Sequence, residues 1–105
     1  MKISFSNSAI TDLDEIKSYY LEQGIPKVGD DIITSAFSHI ETLLDHPDIG
    51  RVVPEFDQQH IRELIHSPYR IVYLRGDNHI QIIRIWRSER LLNINQVNEP
   101  RAEFI

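Results

Sequence analysis

The chain has 105 residues, 41% of them hydrophobic, and a formal net charge of −5 at neutral pH. This length suits a single domain over residues 1–105, with a real core but no room for a second one. The absence of cysteine excludes disulfides and thiolate metal sites. No apolar run is long enough for a membrane span or a signal peptide, so the sequence predicts a cytoplasmic protein without membrane contact.

Charge is distributed unevenly along the chain. Residues 1–50 contain three basic and nine acidic side chains, whereas residues 51–90 contain seven arginines and five acids. The acidic total argues against non-specific binding of nucleic acid. Several arginines nevertheless fall within stretches that resemble buried strands, and an arginine is costly to bury unless it is paired or faces a cleft. The second half of the chain is therefore expected to carry a cationic face.

The first half predicts a strand and two helices. Residues 2–6 alternate as a strand does, and Asn7 or Ser8 can cap the helix that follows. The apolar face of this helix has the spacing 4-3-4 and consists of Ala9, Leu13, Ile16 and Tyr20. A Gly-Ile-Pro break at residues 24–26 starts a second helix. Its broad apolar stripe ends at Pro47 and consists of Ile32, Ile33, Ala36, Phe37, Ile40, Leu43 and Leu44. The resulting helical hairpin is expected to pack on a sheet.

Three strands are predicted to follow a turn at residues 50–51. They occupy residues 60–66, 69–75 and 79–86. Residues 76–78, Gly-Asp-Asn, supply a tight hairpin turn between the last two. Both faces of these two strands are partly apolar, so we expect cover on both sides of the sheet. The helices cover one face, and either the segment 91–105 folded back or a segment of a partner protein covers the other.

Catalytic motifs are scarce. The five histidines show no metal-ligand spacing, and His60 and His66 would lie about 20 Å apart on one strand, too far to share a metal. No phosphate-binding glycine loop, nucleophile elbow or paired-carboxylate motif is present. Glu55 and Glu63 could act as general bases, although Glu63 beside Arg62 is more simply an ion-pair partner. The sequence thus predicts neither a metal nor a cofactor.

Arginines are the remaining candidates for chemistry. They are Arg51, Arg62, Arg70, Arg84, Arg87 and Arg90. On adjoining strands and the following loop, their guanidinium groups could bind an anionic surface or stabilise a phosphorane-like charge. For three of them, ion pairing inside the chain is an alternative. These three are Arg62, Arg70 and Arg84, with Glu55, Glu63 or Glu89 as the partners.

Five short motifs follow one another along residues 3–92. They are Ala9-x-x-Asp12-Leu13-x-x-Ile16-x-x-Tyr19-Tyr20, His46-Pro47-x-x-Gly50-Arg51-x-x-Pro54-Glu55, Ile61-Arg62-Glu63-Leu64, Tyr69-Arg70-Ile71-Val72-Tyr73 and Ile82-x-x-Ile85-x-x-x-x-Arg90-Leu91. In order and spacing this set resembles the RelE/ParE superfamily of toxins from type II toxin–antitoxin systems. The resemblance implies an α+β fold, β-α-α-β-β-β, with the helical hairpin packed on a mostly antiparallel sheet.

The resemblance also implies partners. A cognate antitoxin would wrap the toxin with an extended or helical segment, and its contacts would include Tyr69, Tyr73, Ile80 and Ile82. For Tyr69 and Tyr73, a place in the core is the alternative to antitoxin contact. RelE-like members cut mRNA in the ribosomal A site, usually with a Tyr or His near the C-terminus, whereas ParE-like members inhibit DNA gyrase. Residues 80–105 contain neither His nor Tyr, so a nuclease would lack its usual acid/base residue.

We therefore predict a ParE-like toxin that inhibits DNA gyrase by protein–protein contact, without direct sequence-specific recognition of nucleic acid. Its target contacts would be Arg51, Arg62, Arg70, Trp86, Arg87 and Arg90. One alternative is a ribosome-dependent, metal-independent mRNA endoribonuclease. Its catalytic residues would be Arg51, Arg62, Arg70, Arg87 and Arg90. The other alternative is an inactive, toxin-like binding module.

Overall fold

A computed structural model describes residues 1–88 of the chain. Arg90 and the segment 91–105 lie outside the described residues. The elements are β1 (Lys2–Phe5), α1 (Asn7–Glu22), α2 (Pro26–Glu41), a short 3-10 helix (Thr42–Leu44), β2 (Arg51–Val52), β3 (Ile61–His66), β4 (Tyr69–Arg75) and β5 (His79–Arg87). No helix within residues 1–88 is both long and apolar enough to cross a membrane.

A five-stranded mixed sheet organises the fold, in the order β1-β5-β4-β3-β2. β1 runs parallel to β5, and the other neighbouring strands are antiparallel. The helical hairpin packs on one face, which confirms the predicted α+β architecture. The structure adds β2, which pairs with Arg62 and Glu63 where the sequence indicated only a turn. A strand of two residues is too short to produce the alternation on which strand prediction depends.

Hydrogen bonds to β5 fix the start of α1. Ser6 is the N-cap, because its Oγ accepts a hydrogen bond from the Ala9 N–H at 3.0 Å. The same hydroxyl donates to the Ile83 carbonyl at 2.9 Å. The predicted caps, Asn7 and Ser8, are therefore wrong, since the tie to β5 selects the preceding serine. α2 begins at Pro26 as predicted.

The main core lies between the helices and the sheet. Its buried members include Ala9, Ile16, Tyr20, Ala36, Ile40, Leu43, Leu64, Tyr69, Ile71, Tyr73, Ile80, Ile82 and Ile85. The stripe predicted on the second helix is confirmed only in part: Ala36 and Ile40 are buried, but Phe37 and Leu44 stay 40% and 47% exposed. Removal of this apolar surface from water is the main stabilising contribution, at roughly 25 cal/mol per Å².

The opposite face of the sheet carries Glu63, Arg70 and Val72, because directly paired residues share a face. It has a smaller apolar cluster. The buried members are Val53, Val72, Ile83 and Trp86, with Phe56 packed against them. Val53 and Phe56 belong to the loop between β2 and β3. Part of the cover that the sequence left open thus comes from within the described chain.

Candidate functional site

The residues predicted to bind a target differ widely in exposure. Arg51 and Arg87 are exposed, Arg62 is half-buried, and Arg70 and Trp86 are buried. Arg90 falls beyond the described residues. Within residues 1–88 the predicted set therefore does not form one exposed cationic surface.

Four charged side chains on the opposite face form a row of ion pairs, Arg51–Glu63–Arg70–Glu55, here called the ion-pair chain. Glu63 accepts hydrogen bonds from the Nε of Arg51 and the Nε of Arg70, each at 2.6 Å. Arg70 also donates through its two Nη atoms to the two carboxylate oxygens of Glu55, each at 3.0 Å. Strand register produces the row, because Arg51 pairs directly with Glu63 across β2 and β3. Two cations and two anions leave it formally neutral.

Because the ion-pair chain is largely buried, each of its buried charges needs a partner of opposite charge. The Glu63 side chain is 0% exposed and that of Arg70 is 6% exposed. Burial by itself lowers the pKa of Arg70, but the hydrogen bonds that Arg70 donates to Glu55 and Glu63 outweigh it, and the pKa is raised. Removing one partner would leave a buried charge without compensation. Ion pairing with Glu55 and Glu63 was the alternative for Arg70, and the structure shows both pairs.

Arg62 holds the loops beside the sheet edge. Its Nη1 donates to the Gly50 carbonyl at 2.9 Å, and its Nε donates to the Gln59 carbonyl at 3.0 Å. Its nearest carboxylate is that of Asp48, at 3.7 Å. The predicted pair between Arg62 and Glu63 is wrong, because adjacent residues of a strand point to opposite faces of the sheet.

Arg84 pairs with a residue that the sequence analysis did not select. The Asp12 carboxylate accepts hydrogen bonds from Arg84 Nε at 2.9 Å and Nη2 at 3.1 Å, and from the Ile85 N–H at 2.8 Å. Burial raises the pKa of Asp12, and the bonds from Arg84 and Ile85 oppose that rise. Because β1 pairs with β5 only as far as Ile82, Asp12 satisfies the strand edge beyond β1. The sequence contained a signal for this buried carboxylate, since Asp12 lies on the apolar face of the helix between Ala9 and Ile16.

The four residues predicted to contact an antitoxin lie in the main core. Tyr73, Ile80 and Ile82 are 0% exposed and Tyr69 is 5% exposed. The Tyr73 hydroxyl accepts a hydrogen bond from the Gly50 N–H at 3.1 Å, and a Cβ on Gly50 would lie 2.6 Å from that hydroxyl. A partner could touch Tyr73, Ile80 or Ile82 only if the core opened. Tyr69 differs, because it lines a cleft.

The cleft, with a volume of about 440 Å³, lies between α1 and the ends of β4 and β5. It is lined by Asp12, Glu15, Ile16, Tyr19, Tyr69, Ile85, Trp86 and Arg87. Tyr19 is 49% exposed, and the Arg87 guanidinium lies 5.8 Å from the centre of the Tyr69 ring. Burial, with a hydrogen bond that the Tyr69 hydroxyl donates to Tyr20, raises the pKa of Tyr69 to about 12, so its hydroxyl is neutral near pH 7. Aromatic walls with charged ends suit a segment of another protein.

The described residues offer little for catalysis. Within residues 1–88 no three metal-ligating side chains cluster as a metal site requires. The ion-pair chain contains no histidine or tyrosine, and its carboxylates already accept hydrogen bonds from guanidinium groups. Its charges therefore hold the sheet face together.

A comparison with protein-family models identifies the family of this chain. Residues 3–92 match the family model described as "ParE toxin of type II toxin-antitoxin system, parDE". The chain belongs to the ParE toxin family. The match confirms the predicted superfamily and its ParE branch over the same residues as the sequence motifs. Curated proteins gave no match.

A solved structure from P. aeruginosa shares the ParE fold of this chain. It is described as "Chromosomal ParDE TA system", and its TM-score is 0.71 at 23% sequence identity. The match covers 85% of this chain and 97% of that chain. At this identity the likeness concerns the fold, two helices on a five-stranded mixed sheet.

Proposed function

We propose that this ParE-type toxin inhibits DNA gyrase by protein contact, does not cleave RNA, and is neutralised by a cognate antitoxin. Membership of the ParE family supports the toxin–antitoxin role, and the resemblance to the ParE-like branch implies gyrase as the target. The observation that carries the choice against RNA cleavage is the ion-pair chain, since it occupies Arg51 and Arg70, two of the five arginines predicted for a nuclease.

Arg70 shows the difficulty for a nuclease most clearly. All three of its donor groups, Nε, Nη1 and Nη2, bond to Glu63 or Glu55. A phosphate could approach only by displacing two carboxylates from a side chain that is 6% exposed. Because the ion-pair chain is formally neutral, it also adds little of the positive potential that attracts a phosphate backbone.

The exposed arginines are better placed to contact a protein. The Arg51 side chain is 59% exposed although its Nε bonds to Glu63, and Arg87 is exposed at the end of β5. An arginine in this position can pair with a carboxylate of a partner while its stem packs on apolar surface. We therefore place the gyrase contact at Arg51 and Arg87, and Arg90 stays in the predicted set.

The test is ATP-dependent supercoiling by purified gyrase in the presence of the toxin. Wild-type protein is expected to inhibit, and Arg51→Gln and Arg87→Gln are each expected to weaken inhibition by roughly tenfold, equivalent to about 1.4 kcal/mol of binding. Lys27→Gln is the matched control, because Lys27 is an exposed cation on α2 with a side chain 86% exposed. Uninhibited gyrase, or equal inhibition by all three variants, would contradict the proposal.

The antitoxin contact is proposed at the cleft, in place of the buried core residues. Tyr69 supports this placement, because it alone of the four predicted contacts lines the cleft. Tyr19→Ala is expected to reduce antitoxin affinity by tenfold or more, on the order of 1.4 kcal/mol. Leu21→Ala is the control, since Leu21 is 62% exposed on the same helix and does not line the cleft. Calorimetric titration with equal affinities for the two variants would exclude the cleft.

A further inference from the structure

Two histidines from different elements share a hydrogen bond. His39 on α2 and His66 on β3 are 27 residues apart in sequence, and their Nδ1 atoms lie 3.0 Å apart. The ring centres are separated by 5.1 Å with the planes tilted by 50°. Such a bond requires that one Nδ1 carry a hydrogen and the other a free lone pair. The two rings must therefore be different tautomers.

Ser35 determines which tautomer each ring adopts. Its hydroxyl donates to the Ile32 carbonyl at 3.0 Å, so with its single hydrogen used it accepts from the Nε2–H of His66 at 2.9 Å. His66 then presents a lone pair at Nδ1, and His39 donates its Nδ1–H to it. The Nε2 of His39 has no hydrogen-bond partner in residues 1–88. That atom remains available for a proton.

The two histidines can therefore bind one additional proton and keep the hydrogen bond between their Nδ1 atoms, but a second additional proton breaks it. A proton on His39 Nε2 leaves the bond to His66 intact, because the Nδ1 of His39 remains a donor. A proton on His66 Nδ1 removes the acceptor and sets two N–H groups against each other at 3.0 Å. Burial first, and then the charge of His39, lower the pKa of His66.

We propose that His39 and His66 form a pH-sensitive latch, which holds the C-terminal part of α2 on β3 while His66 is neutral and releases it when both rings are protonated. The two histidines have no third metal-ligating neighbour in residues 1–88. This favours a proton, and not a metal ion, between their two Nδ1 atoms. This inference concerns the fold and is independent of the proposed gyrase target.

No nearby anion is placed to offset the second charge. On β4, Tyr69 pairs with His66 in register and stays neutral, and on β5 the Arg87 guanidinium lies over the Tyr69 ring. On the 3-10 helix, the Thr42 hydroxyl donates to the His39 carbonyl. On α2, Ser35 is the polar neighbour of His66. No carboxylate within residues 1–88 contributes to the pKa shift of His66.

The sign of the pH dependence follows from that shift. The ordinary histidine pKa is 6.5, and that of His66 is lower in the folded chain. Between these two values the unfolded chain binds more protons than the folded one. The stability from this contact is therefore complete above about pH 6.5 and is lost as the pH falls toward the folded value.

The test combines thermal unfolding from about pH 7.5 to about pH 5.5 with an NMR titration of the imidazole signals of the full chain. His39→Asn is the informative variant, because its amide can donate at the place of Nδ1 but never becomes charged. His60→Asn is the matched control at an exposed histidine. The melting temperature of the wild type and of His60→Asn is expected to fall by several degrees more than that of His39→Asn.

The NMR arm reads His66 directly. In the wild type its pKa is expected below that of an exposed histidine, and in His39→Asn it is expected to rise toward the ordinary value. Equal losses of melting temperature in wild type and His39→Asn would overturn the latch. So would a wild-type His66 that titrates at or above the ordinary value, and this readout decides the matter even if the variant does not fold.

Discussion

The two faces of the sheet are stabilised by different interactions. Against the helices, Ile71, Tyr73 and Ile82 are 0% exposed in an apolar core. On the opposite face, a small apolar cluster lies beside the ion-pair chain, in which every buried charge depends on a partner. The first face is stabilised in proportion to buried area, and the second only while its charges stay matched. Three arginines within strands, Arg51, Arg70 and Arg84, thus pair with the buried carboxylates of Glu63 and Asp12.

The largest effect is expected on the helix-packed face. Ile82→Ala removes fully buried apolar atoms and should cost about 4 kcal/mol of unfolding free energy. Val72→Ala, on the opposite face, should cost about 2 kcal/mol, since fewer atoms are lost from a smaller cluster. Urea denaturation of the two variants measures the difference. Equal costs would mean that the two faces do not differ as described.

Neutralising the centre of the ion-pair chain should have the next largest effect. Glu63→Gln keeps the size of the side chain but leaves Arg70 with one anionic partner and Arg51 with none, and it should cost about 3 kcal/mol. Glu22→Gln, at an exposed position, is the control and should stay within about 0.5 kcal/mol of wild type. If the two variants unfold at the same urea concentration, the ion-pair chain does not stabilise the protein.

Alkaline pH should weaken only the helix-packed face. Burial raises the pKa of Tyr73 above its ordinary 10 and that of Tyr69 to about 12. The unfolded chain therefore loses tyrosine protons first, and stability declines as the pH rises above about 10. Melting temperatures above that pH test the claim, with Tyr73→Phe expected to show a shallower decline than wild type. A decline of the same steepness in both proteins would assign the pH dependence to other groups.

The smallest effect is expected at the exposed end of the ion-pair chain. Arg51→Gln should cost less than about 1 kcal/mol, because the side chain is 59% exposed and water compensates its loss. The same substitution is expected to weaken gyrase inhibition, so stability and activity should separate at this residue. A stability loss as large as that of Glu63→Gln would show that Arg51 is a structural residue like Arg70.

Periodicity predicted most of the fold, because alternation and helical spacing are local properties. The strands at 69–75 and 79–87, their hairpin turn and the start of α2 at Pro26 all follow from neighbouring residues. The two-residue β2 and the Ser6 cap do not, because contacts with distant strands define them.

The partners of the charged residues could not be predicted in the same way. Asp12 and Arg84 are 72 residues apart, and proximity in sequence wrongly suggested Arg62 as the partner of Glu63. Strand register and the packing of the helices on the sheet determine which charges meet, and both become visible only in the assembled fold. The contact between His39 on α2 and His66 on β3 was missed for the same reason.

The most direct test of the central claim, that Arg70 is a structural residue and not a catalytic one, is mRNA cleavage on translating ribosomes with the purified toxin. Intact mRNA is expected at protein concentrations that inhibit gyrase. Cleaved mRNA would contradict it, above all if cleavage disappeared in a folded Arg70→Lys variant, which keeps the charge but loses the bidentate geometry. That result would show Arg70 leaving the ion-pair chain to bind phosphate.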